Sequence, residues 1–331
     1  MKKLINQPES VVSEMVAGFV AAYPNKVKQV PGTNVVVRAD APVQGKVGII
    51  SGGGSGHEPA HGGYVGKGML DGAVAGEVFT SPTPDQVFEA IKAVDGGKGV
   101  LLVIKNYTGD VMNFEMAAEL AEAEGIAVEK VIVNDDAAVE NSTYTIGKRG
   151  IAGTVFVHKI AGALAETGAS LEEVAALANK VVANLSSMGM ALTPCTVPAA
   201  GKPGFSIGEN EMEIGMGIHG EPGIERSEIK SADEVTDILL NKIVNQLQLD
   251  ETSEVAVMIN GLGATPLMEL YIINNRVSAV LKEMKIAVHE TFIGEYMTSL
   301  EMAGCSITLL NLDEQLTELL DAAAETVAFK K

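Results

Sequence analysis

Two apolar periods alternate along the first half of the chain. Val11, Val12, Met15, Val16, Phe19 and Val20 recur at helical spacing between Pro8 and Tyr23, and Pro24 ends that helix. Val35-Val36-Val37 follows a stretch holding Pro31 and Gly32, which predicts a loop and then a strand. Lys46–Ile50 predicts a short buried strand running into Ser51-Gly52-Gly53-Gly54-Ser55-Gly56-His57-Glu58-Pro59, read as a glycine loop. Small residues dominate from Ala60 to Gly76, with His61 among them, and predict closely packed backbones. Thr83 or Pro84 opens a helix through Asp85, Val87, Ile91 and Val94. The unbroken apolar run Gly99–Ile104 suits an inner strand of a parallel sheet. A helix over Met112–Glu124 and a strand over Val128–Val133 complete an alternation that predicts a doubly wound sheet.

Gly147-Lys148-Arg149-Gly150 reads as a flexible basic turn, and helices are expected over Gly153–Ala165 and Ser170–Leu185. The stretch Ser186–Gly204, rich in Ser, Pro, Gly and Ala, marks a boundary between domains at 1–185 and 186–331. In the second half, Ser231 opens a helix over Ala232–Leu249, with Asp233 and Glu234 well placed in its first turn. Strands over Val255–Ile259, Ile286–His289 and Ser306–Leu310 alternate with helices over Leu267–Met284 and Glu314–Val327. The expectation is two α/β domains, each with a central, largely parallel or mixed sheet flanked by helices.

Charge narrows the partners. Lys and Arg number 24 against 43 Asp and Glu, a formal charge of −19, with no basic run. Such a surface repels nucleic acid and anionic lipid, so the expected substrate is small. Two cysteines, Cys195 and Cys305, offer neither metal spacing nor a disulfide framework and read as buried small hydrophobes. Met1–Pro8 lacks the apolar core of a secretory signal, and no run is long enough to span a membrane; a cytoplasmic location is expected.

The candidate chemistry gathers on two histidines flanked by glycines. His57 ends the first glycine run, and His219 stands in Ile214-Gly215-Met216-Gly217-Ile218-His219-Gly220-Glu221-Pro222-Gly223. Backbone amides left open by glycine can hold a ligand beside the imidazole. Lys105 and Asp110 follow the Gly99–Ile104 strand, at the carboxyl end where open sheets bind ligands. Asp110 competes with a role as N-cap, and Thr80 and Ser81 either donate hydroxyls to a ligand or satisfy a turn. His158 and His289 read as structural, the former because it follows the apolar pattern Val155, Phe156, Val157, with no nearby residue as an obvious partner for catalysis. No glycine loop ends in Gly-Lys-Ser/Thr, no Rossmann spacing is present, and Ser55 lacks a Gly-x-Ser-x-Gly elbow. No metal site is expected. Two loop histidines, an acid and a lysine around a polar site point to acid/base or covalent chemistry on a carbonyl or hydroxyl compound.

Gly53-Gly54-Ser55-Gly56-His57-Glu58-Pro59, Phe79-Thr80-Ser81-Pro82, Lys105-Asn106-Tyr107-Thr108-Gly109-Asp110 and Gly217-Ile218-His219-Gly220-Glu221-Pro222-Gly223 together resemble the dihydroxyacetone kinases, over nearly the whole chain and in order. Gly261–Pro266 and Met297–Leu300 extend the likeness, and Cys305 departs from it where an aromatic is usual. The resemblance implies that His219 binds dihydroxyacetone covalently as a hemiaminal. It implies that His57 and Asp110 are the acid/base residues and that Gly53, Gly54, Ser55, Gly56, Thr80, Ser81 and Lys105 line the substrate. At 331 residues both sheets are accounted for without a helical nucleotide domain. The resemblance then implies a homodimeric substrate subunit with no cofactor of its own. ADP and magnesium are expected on a separate subunit that the phosphotransferase system recharges from phosphoenolpyruvate. It leaves two rivals, a dihydroxyacetone-sensing coactivator of a transcription regulator and, against the polar loops, a fatty-acid-binding two-domain protein.

Overall fold

A computed structural model describes residues 2–139 and 147–331. The first sheet contains β1 (Val27–Gln29), β2 (Val35–Arg38), β3 (Gly48–Ser55), β4 (Gly72–Val78), β5 (Val100–Lys105) and β6 (Val128–Val133). Its order is β1-β2-β4-β3-β5-β6; β4, β3, β5 and β6 run parallel, and the β1–β2 hairpin adds an antiparallel edge. Both faces are covered. Leu101 and Val103 point toward α1 (Val11–Ala22), α4 (Thr154–Glu166) and α5 (Leu171–Ala183). Val100, Leu102 and Ile104 point toward α2 (Pro84–Val94) and α3 (Thr108–Ala123). A strand buried on both faces reads as an unbroken apolar run, as β5 does.

The second sheet contains β7 (Leu185–Ala191), β8 (Glu211–Ile214), β9 (Glu225–Glu228), β10 (Glu254–Gly261), β11 (Ala287–Gly294) and β12 (Gly304–Leu312). The order is β11-β10-β12-β7-β8-β9, and among these pairs β10–β11 alone is parallel. On one face, Val255, Val257 and Ile259 pack under α6 (Ala232–Leu247) and α7 (Leu267–Glu283). On the other, Ala256 and Met258 share a core with α4 and α8 (Glu314–Asp321). Helix α4, buried without a break from Thr154 to Ala163, therefore belongs to a core reaching both sheets. Both α5 and α6 open on capping boxes, Ser170 with Glu173 and Ser231 with Glu234.

Four local expectations are corrected. The glycine run is strand rather than loop: Ser51, Gly52, Gly53 and Gly54 pair with Ala73, Val74, Ala75 and Gly76 of β4. Glycine is forced there by proximity, since a methyl group at Gly52 would lie 2.5 Å from the Val74 carbonyl oxygen. The small-residue segment after Ala60 likewise holds β4, and the Ser/Pro/Gly-rich segment opens with the buried strand β7. Helix α8 ends at Asp321, and the chain beyond it returns to the first half, pairing Glu325 with Lys67.

Candidate active site

The site lies where the end of β3 meets the second half of the chain. The Thr298 amide donates to the His57 carbonyl at 3.2 Å and the Leu300 amide to the Gly56 carbonyl at 2.7 Å, holding the turn after β3. Glu58 folds back on that turn and accepts from the Gly56 amide at 3.1 Å. His57 is fully buried, with Nδ1 2.8 Å from the Thr298 carbonyl oxygen. A carbonyl only accepts, so Nδ1 carries the proton and Nε2 presents a bare lone pair. Nε2 has no hydrogen-bond partner among the described residues. Burial first, then the nearby charges of His219 and Lys105, hold the ring's pKa well below its ordinary value. His57 is a neutral base with its acceptor nitrogen uncommitted.

His219 reaches the same place from the second half. Its ring meets His57 edge-on at 4.8 Å between centroids, Phe79 at 5.0 Å and Tyr107 at 4.7 Å. Phe79 also stacks on His57 at 5.1 Å, and it holds this place with a left-handed backbone, φ +57°. Glu221 fixes the imidazole: Oε1 is 2.7 Å from His219 Nδ1, and Oε2 accepts the His219 amide. Burial alone would raise that carboxyl, but His219 and Arg149 outweigh it and bring the pKa down to about 2. The carboxylate therefore takes Nδ1–H and leaves Nε2 as the free nucleophilic nitrogen.

An open cleft of about 810 Å³ carries Gly54, Ser81, Asp110 and His219 on its wall, with Phe79, Tyr107, Phe205 and Glu221. Asp110 is the third residue of α3, whose N-cap is Tyr107, so it is not the cap. Lys105 is fully buried at the end of β5. A methyl group on Gly53 would lie 2.6 Å from Lys105 Nζ and 3.4 Å from Asp110 Oδ2, so the ammonium and the carboxylate converge over Gly53. Gly53 itself has φ +149°, a region that side chains rarely adopt. Ser55 and Thr80 spend their hydroxyls locally, on the Gly76 carbonyl at 2.7 Å and, weakly, on that of Val78 at 3.4 Å. Ser81 Oγ is buried without a partner among the described residues.

The match that decides kinship covers residues 17–328 and is to the Dak1 domain. The chain belongs to the Dak1 family. It is 55% identical to the Listeria innocua PTS-dependent dihydroxyacetone kinase 1, dihydroxyacetone-binding subunit DhaK, across 99% of this chain and 100% of that one. Its fold matches the dihydroxyacetone kinase operon co-activator Dha-DhaQ at TM-score 0.90 and 36% identity, covering 96% of this chain and 98% of the other. It matches the C. freundii dihydroxyacetone kinase, solved with AMP-PNP and Mg²⁺, at TM-score 0.90 and 38% identity, over 99% of this chain and 61% of that longer one. The two α/β units with mixed sheets are the architecture of these Dak1 structures.

Within this Dak1 chain, sequence reasoning passed over Glu221, Phe79 and Tyr107. Glu221 stands two residues from His219, and that short His-x-Glu spacing is the signal that could have found it. The aromatic pair carries no such mark, because its role depends on how the halves dock. His158 is buried, as an apolar-face histidine should be, and its Nε2 lies 2.9 Å from His61 Nδ1, a partner distant in sequence. His289 sits at the surface with Asp321, 3.0 Å away. Both cysteines are free and buried. No helix among the described residues is long and apolar enough to cross a membrane.

Proposed function

We propose that the chain is the dihydroxyacetone-binding subunit of a dihydroxyacetone kinase and holds its substrate as a hemiaminal on His219. The observation that carries this reading is the tether of His219 Nδ1 to Glu221 at 2.7 Å, which leaves Nε2 free at the cleft beside His57. In the reaction, the Nε2 lone pair attacks the ketone carbon, a C–N bond forms, and the carbonyl π pair moves to oxygen, which takes up a proton. The charge left on the ring is opposed by the Glu221 carboxylate. Glycerol has no electrophilic carbon and cannot form the bond, so covalency separates two molecules of similar size.

The adduct fixes a terminal hydroxyl in the cleft, which removes much of the entropic barrier to phosphoryl transfer. Lys105 donates to a substrate oxygen over Gly53, with Gly54 and Ser81 lining the pocket; Ser55, Gly56 and Thr80 support the walls. Asp110 or His57 removes the hydroxyl proton as oxygen attacks phosphorus. The phosphoryl group comes from a separate subunit carrying ADP and magnesium, recharged from phosphoenolpyruvate through the phosphotransferase system. That partner docks over the cleft, in the cytoplasm, on a homodimer of this chain. The end-to-end match to the Listeria DhaK subunit supports the division into subunits.

The likeness to a co-activator, over 98% of that chain, favours a second reading as a ligand sensor. Retention of both His57 and Asp110 here favours the enzyme. Intact mass under native conditions tests the proposal. The wild-type chain gains the mass of one dihydroxyacetone and His219→Ala gains nothing; an unchanged gain in the variant refutes the assignment. Turnover with the nucleotide subunit then separates enzyme from sensor.

A further inference from the structure

Behind Lys105 the structure carries a second pair of histidines, which neither the acid/base reading nor the covalent one uses. Lys105 Nζ is 3.0 Å from His61 Nε2, and His61 Nδ1 is 2.9 Å from His158 Nε2. All three side chains are buried, and the two rings meet edge-on at 5.2 Å. They come from three separate elements: β5, the turn after β3 and the central helix α4.

The chemistry of the donors fixes where each proton sits. An ammonium has no lone pair to offer, so His61 Nε2 accepts from Lys105 and the His61 proton lies on Nδ1. His61 Nδ1–H then donates to His158 Nε2, and the His158 proton lies on Nδ1. That last nitrogen is buried without a partner among the described residues, so the chain ends inside the protein. Burial and the Lys105 charge keep both rings neutral, and His158 is pushed down to about 3. A wire for net proton transport needs an exit; this one has none. What it supplies is direction. Among the described residues, the Lys105 ammonium also reaches the Gly52 carbonyl, at a long 3.4 Å. The strong acceptor at its back is His61, which turns the remaining N–H toward the opening that Gly53 leaves by lacking a side chain.

We propose that His61 and His158 are positioning residues for the substrate-binding lysine: a hydrogen-bonded relay, anchored in α4, that aims the Lys105 ammonium at a substrate hydroxyl. The substrate part of this inference rests on the function proposed above; the relay itself does not. Nitrogen-15 shifts of the ligand-free protein test the relay alone. Both rings should be neutral with the proton on Nδ1, and an Nε2–H form of His61 overturns it whatever the protein binds.

The aiming role is tested with His158→Leu, which touches neither Lys105 nor substrate, beside His158→Gln and His61→Gln, which keep an acceptor. His158→Leu strips the His61 Nδ1–H of its acceptor, so the ring that receives the Lys105 ammonium is no longer held in place. KM for dihydroxyacetone should rise about tenfold, the size of one charge-assisted hydrogen bond, with kcat changed far less. His158→Gln should restore most of the affinity. A KM within twofold of wild type in folded His158→Leu overturns the proposal, and so does an equal loss in His158→Gln. Should His158→Leu fail to fold, His61→Gln carries the test, with KM near wild type expected and a tenfold rise as the refutation. Wild-type protein that forms no adduct and has no turnover defeats the function while the Nδ1–H shifts stand.

Discussion

The imidazoles of His57 and His219 meet edge-on with ring centroids 4.8 Å apart, although the turn after β3 carries one and the glycine passage after β8 the other. Each has its Nδ1 occupied, by the Thr298 carbonyl and by Glu221. Each therefore offers Nε2, but the two nitrogens differ in kind. His219 stands at the cleft wall with the Glu221 carboxylate against its Nδ1. His57 is sealed in near Lys105, and its burial disfavours a charge on the ring. One suits attack on carbon, the other the brief receipt of a proton.

Substitution separates those two roles. His57→Asn keeps a donor for the Thr298 carbonyl and removes the basic nitrogen. The hemiaminal should still form, by intact mass, while steady-state phosphorylation with the partner subunit falls about 10²–10⁴-fold. Turnover within a few-fold of wild type would exclude His57 as the proton acceptor and pass that role to Asp110, for which Asp110→Asn is the matching measurement.

In the reaction proposed above, Glu221 acts through His219 rather than on substrate. Glu221→Gln keeps the shape and one acceptor oxygen, but it removes the charge that opposes the developing imidazolium. Adduct formation, followed by stopped mixing and mass, should slow by about a hundredfold or more. Glu221 accepts from both the backbone and the ring N–H of His219 and the amide keeps one acceptor for the two, so thermal stability should also fall, by about the worth of one buried hydrogen bond. Unchanged adduct kinetics would leave the carboxylate without a catalytic part.

Much of this arrangement is legible in the sequence, and the limits have physical causes. Continuous apolar runs such as Val100–Ile104 announce a strand covered on both faces, and helical spacing marks α1 and α2 within a residue or two. The glycine run was misleading because period-two patterning needs side chains, and Gly52-Gly53-Gly54 has none to show even though all three pair in β3. The same absence hid β4, which is built largely of Gly and Ala. Strand β7 carries a Ser-rich sequence yet is fully buried, because Ser187 finds Asp135 and Thr308 inside the core. The His57–His219 contact was out of reach, since neither spacing nor composition says how two halves dock. The backing of Lys105 by His61 and His158 depends on the same long-range packing.

The glycines of β3 are not interchangeable, and alanine tells them apart. At Gly54 a methyl group would lie 2.5 Å from the Thr80 amide nitrogen and 2.7 Å from Phe79 backbone atoms, none of which can yield without moving the backbone that follows β4. Gly54→Ala should therefore lose about 1–3 kcal/mol in urea unfolding. At Gly53 the nearest atom is the flexible tip of Lys105, at 2.6 Å, although φ is unfavourable. Gly53→Ala should raise KM for dihydroxyacetone more than tenfold by turning the ammonium aside, with a smaller stability loss than Gly54→Ala. Equal stability losses and equal KM values would show that the two positions do the same job.

His158 also predicts how stability responds to acid. Its pKa is about 3 in the folded chain, chiefly through burial and then through the Lys105 charge, against an ordinary 6.5 once unfolded. Between those values the unfolded chain binds a proton that the folded chain refuses. Unfolding free energy from this group therefore falls as pH drops below 6.5, by about 1.4 kcal/mol per pH unit, and stops falling near pH 3. Above 6.5 both states leave the ring neutral and it contributes no slope. His158→Gln removes the titrating group but keeps hydrogen-bonding capacity. Urea unfolding from pH 7 to pH 4.5 should then give a curve for the variant that is flatter by about that slope below 6.5 and parallel above it. Parallel curves throughout would mean that His158 takes up its proton inside the folded protein, and a charged ring at that place cannot accept from a neutral His61.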